Sequence, residues 1–213
     1  MNTYVTNLGL NKVFDKFIIN DIQKKVGVSI TTSSDETVEC LIKYVLKHFN
    51  INDSYVTPKI SNFYRKHKKF TRFILVTISL VYSPNSIKEM IEKYEFNEAL
   101  KWEIEHIVPQ NQNYNKFNSK NSRLKNRIGN LGLLSNDTNV KISNQSFYKK
   151  CRGLSAKEKE LKVNEVFQIT KNNFSKADII EREKCMNNYI FEIFFKDNGS
   201  LLREKFREYF ADC

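Results

Sequence analysis

The sequence contains few of the residues that build tight turns, disulfide frameworks and metal centres. Its 213 residues include six glycines, three prolines, three histidines and four cysteines. So few turn-forming residues favour a mainly helical protein. The cysteines, none of which belongs to a CxxC pair, are Cys40, Cys151, Cys185 and Cys213. Their wide spacing argues against a structural zinc site, and we expect none.

The sequence also lacks an apolar run that could cross a bilayer. The most apolar stretch, FILVTISLVY from Phe73 to Tyr82, is too short for a transmembrane helix. No signal peptide is recognisable, and scattered thiols without a disulfide pattern are typical of a reducing compartment. These features predict a cytoplasmic protein that does not associate with membranes.

Basic residues clearly outnumber acidic ones. The chain has 35 Lys and Arg against 24 Asp and Glu, for a formal net charge of +11. An excess of this size favours a polyanionic partner, chiefly nucleic acid. The alternative is that the charge reflects a proteome rich in Lys, Asn and Ile. Neither a phosphate-binding GxxxxGK[ST] loop nor a GxGxxG motif occurs, so nothing indicates nucleotide binding by this chain.

Helical patterns dominate the first hundred residues. Apolar residues from Leu10 to Ile22 recur at the i, i+3, i+4 spacing of one helix face. A second helix is predicted after Ser33, and Thr57-Pro58 is expected to begin a third. For Phe73 to Tyr82 we favour a helix over a strand, and Ser86-x-x-Glu89 predicts another helix soon after it.

The amino-acid composition changes between about residues 101 and 153, where Asn, Ser, Lys and Gly are frequent. After this segment, Ser155-x-x-Glu158 predicts a helix that carries Leu161, Val166, Phe167 and Ile169, and a further helix is predicted through Ile179 and Ile190. We therefore predict an α+β, mainly helical fold. It would comprise an N-terminal helical region at 1–98, a compact core at 99–153, and C-terminal helices at 154–213 packed on that core.

In the stretch YRKHKKFTRF, Tyr64 to Phe73, six basic or potentially basic residues flank aromatic ones. Arg65, Lys68 and Lys69 are candidate contacts to nucleic-acid phosphates. The same residues also suit a solvated helix end, because Lys and Arg are favoured near a helix C-terminus.

The polar segment contains a candidate catalytic pair. WEIEH alternates like a strand, and Pro109 predicts that this strand ends near His106. Glu105 supplies a carboxylate that suits Mg²⁺, and a neutral His106 can accept a proton from water. Asn139 can open a helix facing the strand and supply a second oxygen ligand. The alternatives are an ordinary surface strand end and an asparagine that only caps a helix.

The motifs EHIVPQ, IGNLGLL and SNQSFYKK together resemble the HNH (ββα-metal) nuclease domain. The closest resemblance is to the C-terminal HNH domains of GmrSD-type modification-dependent restriction enzymes, and it runs from about Phe70 to Phe194. It implies a ββα-metal core inserted between flanking helices. Asn139 stands where the last His of "HNH" would be, a replacement that keeps an oxygen ligand.

The resemblance also implies a role for each matching residue. His106 matches the general base, while Glu105 and Asn139 match the ligands of Mg²⁺, with Mn²⁺ as an alternative. Asn130 matches the residue that braces the loop and orients the histidine, and Lys150 matches a lysine that contacts phosphate. Lys149 and Arg152, in the same segment, join the candidate nucleic-acid contacts.

The function implied is a metal-dependent DNA endonuclease of a prokaryotic defence or restriction system. Two alternatives stay open: a catalytically inactive nucleic-acid-binding adaptor, and an RNA-cleaving toxin with the same fold. The NTP-dependent domain usual in GmrSD-type enzymes does not occur in this sequence. We therefore expect target choice to come from a partner, an ATPase or a sensor protein.

Overall fold

The computed structural model describes residues 34–52, 55–60, 63–87, 90, 102–109, 122–169 and 171–204. The helix predicted over Leu10 to Ile22 lies outside these residues, as does most of the helix predicted after Ser86. Two compact units are present: residues 1–59 with 187–213, and residues 60–186. The boundaries predicted at 98/99 and 153/154 stay a prediction.

The first unit contains a helix followed by a two-stranded sheet. α1 (Ser34–His48) confirms the helix predicted after Ser33. β1 (Phe49–Ile51) and β2 (Val56–Pro58) are antiparallel, with Phe49 opposite Pro58. The prediction that Thr57-Pro58 begins a helix was therefore wrong. Strand pairing uses these residues instead, and a proline is tolerated at a strand end.

The second unit begins with a short helix and a long buried one. α2 (Phe63–Lys66) precedes α3 (Lys68–Tyr82), which confirms the helix favoured for the apolar run. α3 is buried from Phe70 to Leu80 except at Arg72. The hydroxyl of Thr77 donates to the carbonyl of Phe73 at 2.9 Å, so this buried polar group is satisfied within the helix.

The rest of the second unit alternates short strands, helices and turns. A 3₁₀ turn at Asn85–Ile87 follows α3. The elements described from Glu103 onward are, in chain order, β3 (Glu103–His106), α4 (Ser122–Lys125), a 3₁₀ turn called the first below (Ile128–Asn130), β4 (Leu131–Leu134), α5 (Asn136–Ile142), α6 (Phe147–Gly153), α7 (Ala156–Glu160), a 3₁₀ turn called the second (Lys162–Gln168) and α8 (Lys176–Phe194). The second unit ends at Met186, within α8. The architecture confirms the predicted α+β, mainly helical fold.

The segment after α7 differs from its prediction. The expected capping box is present, since Ser155 and Glu158 exchange their hydrogen bonds. The helix nevertheless ends at Glu160 rather than continuing to Ile169. The side chain of Asn164 accepts from Leu133 N at 3.0 Å and donates to Leu133 O at 2.6 Å. This pairing with the backbone of β4 draws residues 162–168 into a 3₁₀ turn.

The core of the second unit lies where β4, α5, α6, the second 3₁₀ turn and the start of α8 meet. Its buried members are Ile107, Val108, Leu134, Ile142, Phe147, Leu154, Val166, Phe167, Phe174 and Ile179. Among the described residues, no helix combines the length and apolar character that crossing a membrane requires.

Candidate active site

β3, β4 and α5 form a ββα unit with a fixed strand register. The strands are antiparallel, with Glu105 opposite Gly132 and His106 opposite Leu131. Ser135 caps α5, which lies against β3. Glu105 and His106 therefore stand together at the end of a strand that is covered by the following helix.

The chain leaves β3 after His106 because Asn130 holds the next two residues. The Asn130 carbonyl accepts from Ile107 N at 2.9 Å. Its side-chain Oδ1 accepts from Val108 N at 2.8 Å, and its Nδ2 donates to Val108 O at 3.2 Å and to Lys125 O at 3.0 Å. Asn130 is fully buried. These bonds fix the backbone directly after His106.

The imidazole of His106 has defined neighbours. Its ring lies edge to face with Tyr64, with ring centroids 5.0 Å apart, and it hydrogen-bonds with Asn126. Burial lowers the pKa of His106 to about 4; the bond with Asn126 opposes this shift, and the nearby charges of Lys150, Lys68 and Lys125 add to it. The ring is therefore neutral at pH 7 and can accept a proton.

Glu105 forms a buried ion pair with Lys150. The Lys150 ammonium bonds Glu105 Oε1 and also donates to the His106 carbonyl at 2.6 Å. Burial raises the pKa of Glu105, and Lys150 acts in the opposite direction. Burial likewise lowers the pKa of Lys150, opposed by Glu105. Lys150 is only 1% exposed, so the lysine expected to contact phosphate lies inside the protein, next to the expected metal ligand.

Asn139 lies on α5 but does not open it. Ser135 is the N-cap, because its side chain accepts from Thr138 N. Asn139 lies one turn into the helix, where its backbone N–H donates to the Ser135 carbonyl at 2.9 Å. The expectation that Asn139 opens the helix was wrong, since serine takes that position. The half-buried Asn139 is on the helix that lies against β3.

The candidate nucleic-acid contacts fall into two groups. Lys68 and Lys69 line a pocket of about 200 Å³ together with Arg72, Trp102, Glu103 and Ile104. Arg65 is exposed on α2, close to them in the chain. Lys149 and Arg152 are exposed on α6, the helix whose buried side carries Lys150. Arg152 donates to the Tyr148 hydroxyl at 2.9 Å.

Three neighbours of the site were missed by sequence reasoning. Tyr64, whose ring faces His106, is one of them, and burial and the charges of Glu103 and Glu105 raise its pKa. Arg72 follows Lys68 by four residues, a helical spacing that could have placed it beside the basic patch. Asn126 carried no signal, because its contact with His106 joins two distant segments.

Glu105 and Asn139 are the predicted metal ligands, and both offer oxygen donors. In the part of the chain that the structure describes, no three His, Cys, Asp or Glu side chains gather as a metal cluster. Glu105 and Asn139 offer one carboxylate and one amide oxygen. Mg²⁺ commonly keeps several waters and takes few protein ligands. The buried Lys150 ammonium also shows that the oxygens of Glu105 and His106 accommodate a cation.

Comparison with known proteins gives one match. Residues 30–188 match the family model of the C-terminal domain of GmrSD restriction endonucleases. No curated protein and no solved structure matches the chain. The matched residues include β3, the first 3₁₀ turn, β4, α5 and α6, which carry Glu105, His106, Asn130, Asn139 and Lys150. With more than half of its length matched, the chain belongs to the family of GmrSD restriction endonuclease C-terminal domains, a family of restriction-type nucleases.

Proposed function

We propose that this chain is a metal-dependent HNH endonuclease that hydrolyses DNA phosphodiester bonds in a prokaryotic defence or restriction system. One observation carries the proposal. Glu105 and His106 end the first strand of a ββα unit whose helix bears Asn139. A neutral imidazole beside a carboxylate, with an asparagine on the helix that lies against their strand, suits a general base next to a magnesium-type ion.

The surrounding charge supports a polyanionic substrate. The charges of Lys150, Lys68 and Lys125 all lower the pKa of His106, so positive charge lies around the proposed base. Lys68, Lys69 and Arg72 line a pocket beside β3, where Glu103, 4.0 Å from Lys68, offsets one of these three charges. A bound phosphate would raise the pKa of His106, because a negative charge favours the protonated imidazole. The substrate would therefore strengthen the base that acts on it.

The chemistry assigned to this chain is a proton transfer from water. His106 accepts the proton while the water oxygen forms a bond to phosphorus. The P–O3′ bond breaks, its electron pair stays on the leaving oxygen, and that oxygen takes a proton from solvent. Mg²⁺ or Mn²⁺ held by Glu105 and Asn139 would supply positive charge that offsets the charge developing on the leaving oxygen. The expected products have 5′-phosphate and 3′-hydroxyl ends.

Target choice would depend on another protein. Arg65, Lys149 and Arg152 are exposed cations, and contacts from such side chains to phosphates carry little sequence information. We expect sequence-tolerant binding by the isolated chain, in the cytoplasm, with the target chosen by an ATPase or a sensor protein.

A second candidate is a catalytically inactive nucleic-acid-binding adaptor. The ion pair of Glu105 with Lys150 favours it, because the carboxylate needed for a metal is already neutralised. An RNA-cleaving toxin is a third, since phosphate contacts suit both polymers.

A nuclease assay on purified protein separates these functions. Supercoiled plasmid, linear duplex DNA, single-stranded DNA and RNA would each be incubated with Mg²⁺, Mn²⁺ or EDTA. The proposal expects DNA cleavage that needs the metal and is lost in Glu105→Gln. Binding without cleavage of any substrate would favour the adaptor. Cleavage of RNA alone would favour the toxin, and undiminished cleavage in EDTA would exclude the proposed site.

A further inference from the structure

The ion pair between Lys150 and Glu105 is built by the fold. Phe147 and Lys150 lie three residues apart on α6, so they share the buried side of that helix. Phe147 packs against Phe167 and Phe174, with ring centroids 6.1 Å and 5.3 Å away. The aromatic contacts anchor the helix in the core of the second unit. Lys150 is thereby directed at the end of β3.

The position of the ammonium is defined by two oxygens. Glu105 Oε1 forms the ion pair, and the His106 carbonyl accepts a second bond from Lys150 Nζ at 2.6 Å. Both carboxylate and carbonyl oxygens are preferred ligands of hard divalent cations. A lysine ammonium is a compact point charge, so it resembles such a cation in charge and contacts.

We propose that Lys150 and a divalent metal ion compete for one cation position formed by Glu105 and the His106 carbonyl. This inference rests on the proposed metal site at Glu105. A buried carboxylate without a partner is strongly disfavoured, so Lys150 balances the charge of Glu105 in the metal-free protein. Two cations at one position repel each other, so the metal displaces the ammonium.

This competition has a functional consequence. The metal-free protein holds its own lysine in place of the ion, and this keeps the site inactive until the metal binds. The displaced ammonium then becomes available to an anionic phosphate. Lys150 thus has two positions: one buried beside Glu105 without the metal, and one in contact with phosphate when the metal is bound.

Metal binding in the absence of nucleic acid tests the competition. Mn²⁺ would be titrated into wild type, Lys150→Met and Lys157→Met by calorimetry, with bound Mn²⁺ checked by electron paramagnetic resonance. Lys157 is exposed near the start of α7 and serves as the matched control. Lys150→Met is expected to bind Mn²⁺ at least roughly tenfold more tightly, the size of effect that one nearby charge exerts on another ionisable group. Lys157→Met should bind like the wild type.

The outcomes separate this inference from the proposed function. Equal or weaker binding by Lys150→Met, with clear binding by wild type, overturns the competition and leaves the metal site standing. The double variant Glu105→Gln with Lys150→Met should lose the tight binding. Absence of Mn²⁺ binding by every protein overturns both the competition and the proposed metal site.

A second measurement needs no substitution and covers the case in which Lys150→Met does not fold. Lysine amines of the wild type would be acetylated with and without saturating Mn²⁺, and each site quantified by mass spectrometry. Lys150, at 1% exposure, should react poorly without metal and several-fold faster with it. Lys157 should be unaffected. Equal reactivity of Lys150 in both conditions overturns the proposal.

Discussion

At the scale of single residues, the imidazole of His106 is positioned by side chains from outside the ββα unit. Tyr64 on α2 faces the ring, and Asn126, directly after α4, hydrogen-bonds with it. Lys150 on α6 bonds the carbonyl of the same residue. The orientation of the proposed base therefore depends on three segments that are far apart in the sequence.

The ring of Tyr64 is predicted to matter more than its hydroxyl. Tyr64→Phe keeps the edge-to-face contact with His106 and should keep the cleavage rate. Tyr64→Ala removes it and should lower kcat roughly tenfold to a hundredfold, because small displacements of a catalytic group have effects of this size. KM should change little. Steady-state cleavage of a DNA substrate by both variants measures this, and wild-type kcat in Tyr64→Ala would contradict it.

Part of the candidate site could be predicted from the sequence because the signals for it are local. Glu105 and His106 are adjacent, Pro109 follows closely, and the resemblance placed Asn130, Asn139 and Lys150. Contacts across the fold had no such signal. The partner of Lys150 could not be read from FYKK, because Glu105 and Lys150 meet only when α6 packs beside β3.

At the scale of elements, Glu158 joins two helix N-termini. Its Oε1 accepts from the Ser135 hydroxyl at 2.8 Å, and its Oε2 accepts from the hydroxyls of Thr138 and Ser155 at 3.0 Å and 2.8 Å. Ser135 caps α5 and Ser155 caps α7. One carboxylate thus fixes the start of the helix that carries Asn139.

Glu158 is predicted to make stability depend on pH. Burial alone would raise its pKa, but the hydrogen bonds from Ser155, Ser135 and Thr138 outweigh burial, so the pKa lies below its ordinary value of 4.5. A lowered folded-state pKa means that this stabilisation is present above about pH 4.5 and is lost as the pH falls through the folded-state value. Glu158→Gln should lower the free energy of unfolding at pH 7 by about 1.5–3 kcal/mol, the range for hydrogen bonds to a charged group.

Urea unfolding of Glu158→Gln and wild type at pH 7 and at pH 3 measures this difference. The difference between the two free energies of unfolding should be smaller at pH 3, because wild-type Glu158 is then increasingly protonated. Glu160→Gln, exposed at the end of α7, is the control and should show little difference at either pH. The same difference at both pH values would contradict a stabilising role for the ionised Glu158 carboxylate.

Gly129 is predicted to be essential for packing between the first 3₁₀ turn and α8. A Cβ there would overlap the Ile179 carbonyl and lie 2.8 Å from Glu183 N, both backbone atoms. Arg182 also holds this turn, donating to Gly129 O at 2.9 Å. Gly129→Ala should destabilise the protein by about 1–3 kcal/mol or more, the usual cost of overpacking.

Thermal or urea unfolding measures the effect of Gly129→Ala against a matched glycine. Gly153 ends α6, and a Cβ there would meet only a side-chain methyl of Ile142 at 3.0 Å. Gly153→Ala should therefore change stability much less, because a side chain can move where a helix backbone cannot. Similar stabilities for the two variants would contradict the tight approach of the turn to α8.

Local sequence patterns correctly predicted elements whose structure depends on neighbouring residues. They failed where contacts with distant segments determine the secondary structure. The apolar run that forms α3 and the capping box of α7 follow directly from residue spacing. Thr57-Pro58 became a strand because Phe49 to Ile51 pairs with it. Residues 162–168 left the helix because Asn164 bonds the backbone of Leu133.

At the scale of the whole molecule, the net charge of +11 favours attraction to nucleic acid over long distances. Binding through roughly four phosphate contacts should weaken about a hundredfold between 50 and 200 mM salt. Replacing Lys68 and Lys69 by Ala should reduce the slope of log affinity against log salt by about two, since each phosphate contact contributes about one.

Fluorescence anisotropy with duplexes of two unrelated sequences measures these slopes. The matched control is Lys157→Ala with Lys184→Ala, which removes the same charge from exposed positions away from the pocket. The control should lower the slope less than the pocket variant. Equal slopes for the two double variants would exclude a specific role for Lys68 and Lys69.

Catalysis by His106 is tested most directly by the cleavage rate of His106→Ala under conditions in which the wild type cuts DNA. Thermal unfolding would first establish that the variant is folded. Its rate with Mg²⁺ should fall by at least about a hundredfold, the lower end of what a general base contributes. A folded His106→Ala protein that cuts at the wild-type rate would contradict the assignment of the active site to the end of β3.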